Sequence, residues 1–429
     1  MNSSLLFIFW DDKNKLGLLP DQTEPETVMQ PNSRAAWKTC LAGMLALSAA
    51  MGIGRFAFTP LLPMMLHEGS LDLRMGGWLA TANYVGYFIG AMLCAFHRSA
   101  RTTAMIRAGL VATVLLTLGM GLLHSQPWWL ALRLLSGIAS AYVFVYTAGW
   151  CLQRLTHLQR PELGGVIFCG PGIGIALTGL STGAMVAANW HAAAGWTLFA
   201  LLALGLTGLT WRTFGVAPDN ANVAHGNQAT GIAPDAPLQS EIRQQTLGYG
   251  IAGFGYIITA TFLPVIARQA LPGSAWPDFF WPIFGAGVAI GAFGATRLPV
   301  AADQRRLLCL AYLMQAAGIL LCIVLPDATG FALGCLLLGL PFTAITLFGM
   351  REARRLRGVH ASKLMGAMTA AYGIGQIAGP PLATALARGG SFTPSLLVAA
   401  LSLVAGAALY YRLTIKNPLP GPAAGLNGA

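Results

Sequence analysis

A helix needs about 20 apolar residues to cross the hydrocarbon core of a bilayer, roughly 30 Å thick, where water cannot satisfy an open backbone. Twelve stretches of this chain meet that requirement, and no other feature constrains its fold as strongly. They lie at about 39–65, 75–96, 104–124, 127–150, 163–188 and 193–213, then at 247–267, 278–298, 306–325, 329–349, 364–387 and 392–414. Composition agrees, since 55% of the 429 residues are hydrophobic and 10% are charged, against about a quarter charged in a soluble domain. The expected fold is all-α and integral to a membrane, with 12 transmembrane helices.

The net charge of +11 is spread over short loops between apolar runs, so it does not point to a nucleic-acid partner. Arg74, Arg268 and Arg388 alone fall on one side of the spans, Arg55 and Arg133 fall within them, and the rest of the 26 basic residues share the other side. Basic loops stay in the cytoplasm, so both termini are expected there. Residues 1–36, rich in Asp, Glu, Pro and Gln, read as a flexible cytoplasmic extension. The apolar piece LLFIFW within them is too short to span, and no basic region precedes it as in a signal peptide. Residues 37–213 and 247–415 form two six-helix halves, 214–246 a polar cytoplasmic linker, and 416–429 a cytoplasmic tail.

The halves repeat each other. The offset from Gly52 to Gly253 also pairs Gly54 with Gly255, Pro63 with Pro264, Gly86 with Gly287, Gly90 with Gly291 and Gly174 with Gly375. One offset serving several helix pairs implies a parallel repeat, an arrangement whose solute site lies between the halves near the bilayer midplane.

Candidate site residues are those too polar for lipid. Arg55, in MGIGRFAFTPLLPMM, lies about 25 Å along a helix from Lys38. A charge at that depth costs at least about 2.5–3.5 kcal/mol, so it must face a cavity or a partner. Arg133 is a second embedded cation, and no carboxylate lies well inside any expected span. An electropositive cavity favours an anionic substrate such as a carboxylate. Asn83, Tyr87, Tyr142, Tyr146, Tyr256, Tyr372 and Gln376 complete the candidate substrate pocket, with Tyr256 the repeat counterpart of Arg55. For each tyrosine alone, packing with one hydrogen bond is the alternative role. Asp278 is the nearest thing to an embedded proton carrier, although its place at a helix start suits a capping role better.

The seven cysteines form no Cys-x-x-Cys pair and the seven histidines are dispersed. No metal, cofactor or enzymatic centre is expected from them. The run GPGIGIALTG lacks the third glycine and preceding strand of a dinucleotide-binding loop; its Pro171 is a candidate hinge.

The stretch GIGRFAFTPLLPMM resembles the first-helix signature of the YbfB/YjiJ-type branch of the major facilitator superfamily (MFS), and the likeness extends over about 37–415. That resemblance implies the MFS fold, two six-helix bundles in parallel pseudo-repeat, in a bacterial inner-membrane transporter. Arg133 with Gly137 resembles the superfamily's fourth-helix motif linked to proton coupling, and Gly170, Pro171 and Gly174 resemble its fifth-helix antiporter motif. The loop after the second span keeps Gly90, Arg98 and Arg101 but has no Asp of the usual gating motif, with Cys94 near that place. The expected activity is secondary transport of a small organic anion by alternating access, with a proton-coupled drug or metabolite exporter as the alternative. Expected partners are the solute, membrane lipid and, for coupling, protons, and the expected state is a monomer.

Overall fold

A computed structural model describes residues 33–96, 101–215, 236–387 and 390–418. The expectations for residues 1–32, for Arg98 in the loop after the second span, for the middle of the linker, for Arg388 and for the end of the tail lie outside the described residues.

The described chain is helical, without strands. Its long helices are α1 (Ser33–His67), α2 (Leu73–Phe96), α3 (Thr102–Leu122), α4 (Gln126–His157), α5 (Pro161–Ala187) and α6 (Ala192–Trp211). There follow α7 (Ala236–Ala270), α8 (Pro277–Arg297), α9 (Gln304–Val324), α10 (Ala328–Arg357), α11 (Ala361–Leu386) and α12 (Thr393–Lys416). Eleven of them are long and apolar enough to cross a membrane. The exception is α11, equally long but diluted by Thr369, Tyr372, Gln376 and the pair Pro380–Pro381. Four helices outrun their expected limits by six residues or more; α1 begins at Ser33, so residues 33–36 of the expected flexible extension are helical. Helix α4 extends to His157, α10 continues through REARRLR, and α7 begins in what was expected to be linker, at Ala236.

Helix packing follows the sequence repeat. Helix α2 packs on α4, α3 on α4 and α6, and α1 on α5; equivalently, α8 packs on α10, α9 on α10 and α12, and α7 on α11. The same glycines form matching crossings. A Cβ on Gly52 would sit 2.3 Å from Gly174 Cα, and one on Gly253 2.2 Å from the Tyr372 carbonyl, a turn from Gly375. Gly86 and Gly90 lie against Leu134 and Ile138 of α4, while Gly287 and Gly291 lie against Leu336 and Leu340 of α10. These contacts bring backbones together at distances a side chain forbids. A Cβ on Gly291 would meet the Leu340 carbonyl at 1.8 Å, so Gly291→Leu is expected to cost about 1–3 kcal/mol through overpacking. Thermal unfolding of the purified variant would measure it.

Between the two sets, α5 packs along α8, α2 along α11, and the Phe58–His67 part of α1 against α7. The Tyr84 hydroxyl and Thr261 Oγ1, 2.9 Å apart, add a hydrogen bond across this seam.

Candidate functional site

Helix α1 changes form where the site begins. It is α-helical over Ser33–Leu47, π-helical over Ser48–Arg55, and α-helical again over Phe58–His67. Local chemistry accounts for the bond lost where the π turn ends. The Thr59 amide donates to the Phe56 carbonyl at 3.2 Å, and Pro60 has no N–H to offer. The Arg55 carbonyl therefore loses its usual helical donor. Arg133 replaces it: Nη2 donates to the Arg55 carbonyl at 3.0 Å and Nη1 to the Gly54 carbonyl at 3.3 Å, while Ser136 Oγ donates to the latter at 2.7 Å. Asn83 Nδ2 donates to the Arg133 carbonyl at 3.0 Å, and a Cβ on Gly137 would meet the Asn83 carbonyl at 2.1 Å, so α2 and α4 together aim Arg133 at α1. Arg133 thus shapes backbone. Wide turns of this kind recur at functional positions.

The Arg55 side chain emerges from that opened turn and is 3% exposed. Its guanidinium carbon lies 3.9 Å from the Tyr87 ring centroid and 5.3 Å from those of Tyr84 and Phe56. Nη2 donates to Gln376 Oε1 of α11 at 2.9 Å, and Gln376 Nε2 donates to the hydroxyl of Tyr256 on α7. Arg55 Nε, also buried, has no hydrogen-bond partner. Among the described residues, no carboxylate pairs with Arg55 or Arg133. Aromatic faces soften the burial of a cation but leave its charge uncompensated.

Tyr256 stacks on Tyr372 with centroids 5.8 Å apart, and Tyr372 lies 5.0 Å from Tyr249. Phe342 meets both Tyr256, at 5.0 Å, and Phe56, at 6.2 Å. Five expected pocket residues thus share one cluster, in which Arg55, Tyr256 and Gln376 are buried and Tyr87 and Tyr372 are partly buried. Tyr256 and Arg55, counterparts in the repeat, are joined through a single glutamine. Asn83 serves Arg133 instead. Tyr142 and Tyr146 pack on each other at 5.9 Å, and Tyr142 lies about 14 Å along α4 from Arg133.

Helix α5 is interrupted at Phe168–Cys169 and resumes over Gly170–Ala187, with Pro171 in the resumed first turn. The Gly170 carbonyl accepts from Ser48 Oγ at 2.8 Å, which ties this break to the π turn of α1. Asp278 does not cap α8. Its carboxylate pairs with Arg268, near the end of α7, because the preceding helix delivers a cation to it. That contact corrects the capping expectation.

A buried charge cluster joins α7, α9, α10 and α12, and the spacing of apolar runs gave no sign of it. Arg305, fully buried, bonds both carboxylate oxygens of Asp303 at 3.0 Å and lies 3.5 Å from Glu241 and 3.9 Å from Glu352. It also donates to the carbonyls of Leu413 at 3.2 Å and Asn417 at 2.8 Å. Arg355 pairs with Glu241 and Glu352, and Asn417 Nδ2 donates to Glu241 Oε2 at 2.8 Å. Burial would raise the Asp303 carboxyl, but hydrogen bonds from Arg305 and the charges of Arg305 and Arg306 hold it below its ordinary value. Glu352 lies outside the expected tenth span, 329–349, and is buried on the part of α10 that outruns its apolar run. All seven cysteines are free thiols, and no group of metal-ligating side chains occurs among the described residues.

Compared with curated proteins, the chain has no match. A family model described as uncharacterised MFS-type transporter YbfB matches residues 47–411, a region that opens with the π turn and contains the whole Arg55 cluster. The chain therefore belongs to the YbfB-type family of major facilitator transporters.

Proposed function

We propose that this transporter moves a small organic anion by alternating access of two six-helix bundles, α1–α6 and α7–α12, with Arg55 at the central site. In this reading α11 is the twelfth span, made less apolar by the residues it lends to the site. Both termini are cytoplasmic, the membrane is a bacterial inner membrane, and the protein acts as a monomer.

The observation that carries the reading is the state of Arg55: a buried cation, 3% exposed, whose hydrogen-bond partner is a neutral amide on the other half of the chain. An uncompensated charge at this depth is costly, and an arriving carboxylate offsets that cost with a charge-assisted bond. Arg133, which the fourth-helix motif would tie to proton coupling, is assigned here to positioning the Arg55 turn.

Counterflow in proteoliposomes loaded with candidate organic acids tests the proposal. Arg55→Gln is expected to lower exchange by 100-fold or more, since the lost charge-assisted bond is worth about 1.5–3 kcal/mol and the charge attraction goes with it. Undiminished exchange by a correctly folded Arg55→Gln protein would remove Arg55 from the site.

A further inference from the structure

The geometry points to a particular class of anion, one that carries a single carboxylate on a flat apolar body. This inference rests on the anion reading and adds two restrictions to it, one from charge and one from shape.

The first restriction comes from counting cations. Arg133 spends both Nη atoms on the Gly54 and Arg55 carbonyls, so its own unpartnered Nε has no free Nη2 beside it to complete a carboxylate fork. That leaves Arg55 as the one guanidinium in the cluster with a side chain as its hydrogen-bond partner, and that partner is an uncharged amide. Its Nε is buried with no partner at all. The fork of Nε and Nη2 matches the two oxygens of one carboxylate. To bind there, a carboxylate displaces the Gln376 oxygen from Nη2, and the freed amide can turn to the solute. A second carboxylate on the same solute would be buried with no cation facing it, which favours a monoanion over a dianion.

The second restriction comes from the walls. The guanidinium carbon lies over the Tyr87 ring and 5.3 Å from the Phe56 centroid, and Phe56, Phe342, Tyr256 and Tyr372 continue the aromatic cluster by ring contacts with one another. The Tyr256 and Tyr372 planes are inclined by 24°. A planar hydrocarbon can stack on such a surface, whereas a polyhydroxylated body would leave hydroxyls without partners. The Tyr256 hydroxyl and the Gln376 amide can each meet one polar substituent.

Binding to the purified full-length protein in detergent, read by thermal shift and titration calorimetry, tests the class with five probes. Benzoate is the flat monoanion, acetate a monoanion without the body, phthalate a flat dianion, benzamide a flat neutral molecule and benzylamine a flat cation. Benzoate is expected to raise Tm and to bind at least tenfold more tightly than each of the others. Arg55→Gln is expected to abolish the benzoate shift. Tyr372→Ala keeps the cation and is expected to bring the benzoate-to-acetate affinity ratio down toward one, so the test survives if Arg55→Gln fails to fold. Acetate or phthalate binding as tightly as benzoate would overturn the proposed class while leaving the anion reading intact. Benzamide or benzylamine matching benzoate would overturn both. No shift with any probe, or a benzoate shift that persists in Arg55→Gln, would overturn the class and its location.

Discussion

Gln376→Glu is expected to raise Tm and to slow solute exchange at least 30-fold. The native amide accepts a hydrogen bond from Arg55 Nη2 at 2.9 Å, across the two halves of the chain. A carboxylate of nearly the same shape at that position would bring a full negative charge to a buried guanidinium that has none. At about 4 Å and an effective dielectric of 20, such a pair contributes about 4 kcal/mol, less the cost of dehydrating the new carboxylate. Half of that value is a factor of about 30 in the equilibrium between joined and separated halves. The variant would carry its own anion, occupying the place proposed for the substrate. Thermal unfolding and counterflow on one preparation measure both consequences. A variant with unchanged Tm and full exchange would show that the Arg55–Gln376 contact does not lie on the transport cycle.

Arg305→Met is expected to destabilise the fold by about 3–5 kcal/mol, the cost of removing one member of a buried charge group. Arg305 is completely buried, and its loss would leave Glu241, Asp303 and Glu352 with Arg355 and the exposed Arg306 as their remaining cations. The carbonyls of Leu413 and Asn417 would lose their donor as well. The adjacent Arg306, whose side chain is 79% exposed, supplies an internal control. Arg306→Gln should change stability by no more than about 0.5 kcal/mol. Equal Tm values for the two variants would show that the buried cluster contributes no more than a surface arginine does.

Both predictions concern contacts between residues far apart in the chain, and this separation set the limit of what the sequence could reveal. Apolar runs located every long helix, because lipid imposes one length and one composition. The offset from Gly52 to Gly253 anticipated which helix crossings would match, since close approach demands glycine at the same register in both halves. It named Arg55 and Tyr256 as counterparts but could not bring them together, because the joining residue, Gln376, is 321 positions from Arg55. Asp278 was misread for a related reason. A carboxylate in the first turn of a helix reads as a cap until a neighbouring helix supplies an arginine. The charge cluster was missed because Glu241 and Glu352 sit on helical extensions beyond the apolar runs, where the bilayer no longer fixes the pattern.

The opened turn of α1 has a genetic consequence. Arg133 is needed because Pro60 has no N–H and Thr59 donates to Phe56 instead of Arg55. Replacing Pro60 with alanine would return an N–H to position 60 for the Phe56 carbonyl and free the Thr59 amide for Arg55. A chain weakened by losing Arg133 should therefore regain function through a second change at Pro60, a residue in a different helix that supplies no hydrogen to replace. Among revertants selected for transport, position 60 is where suppressors of Arg133 substitutions should accumulate.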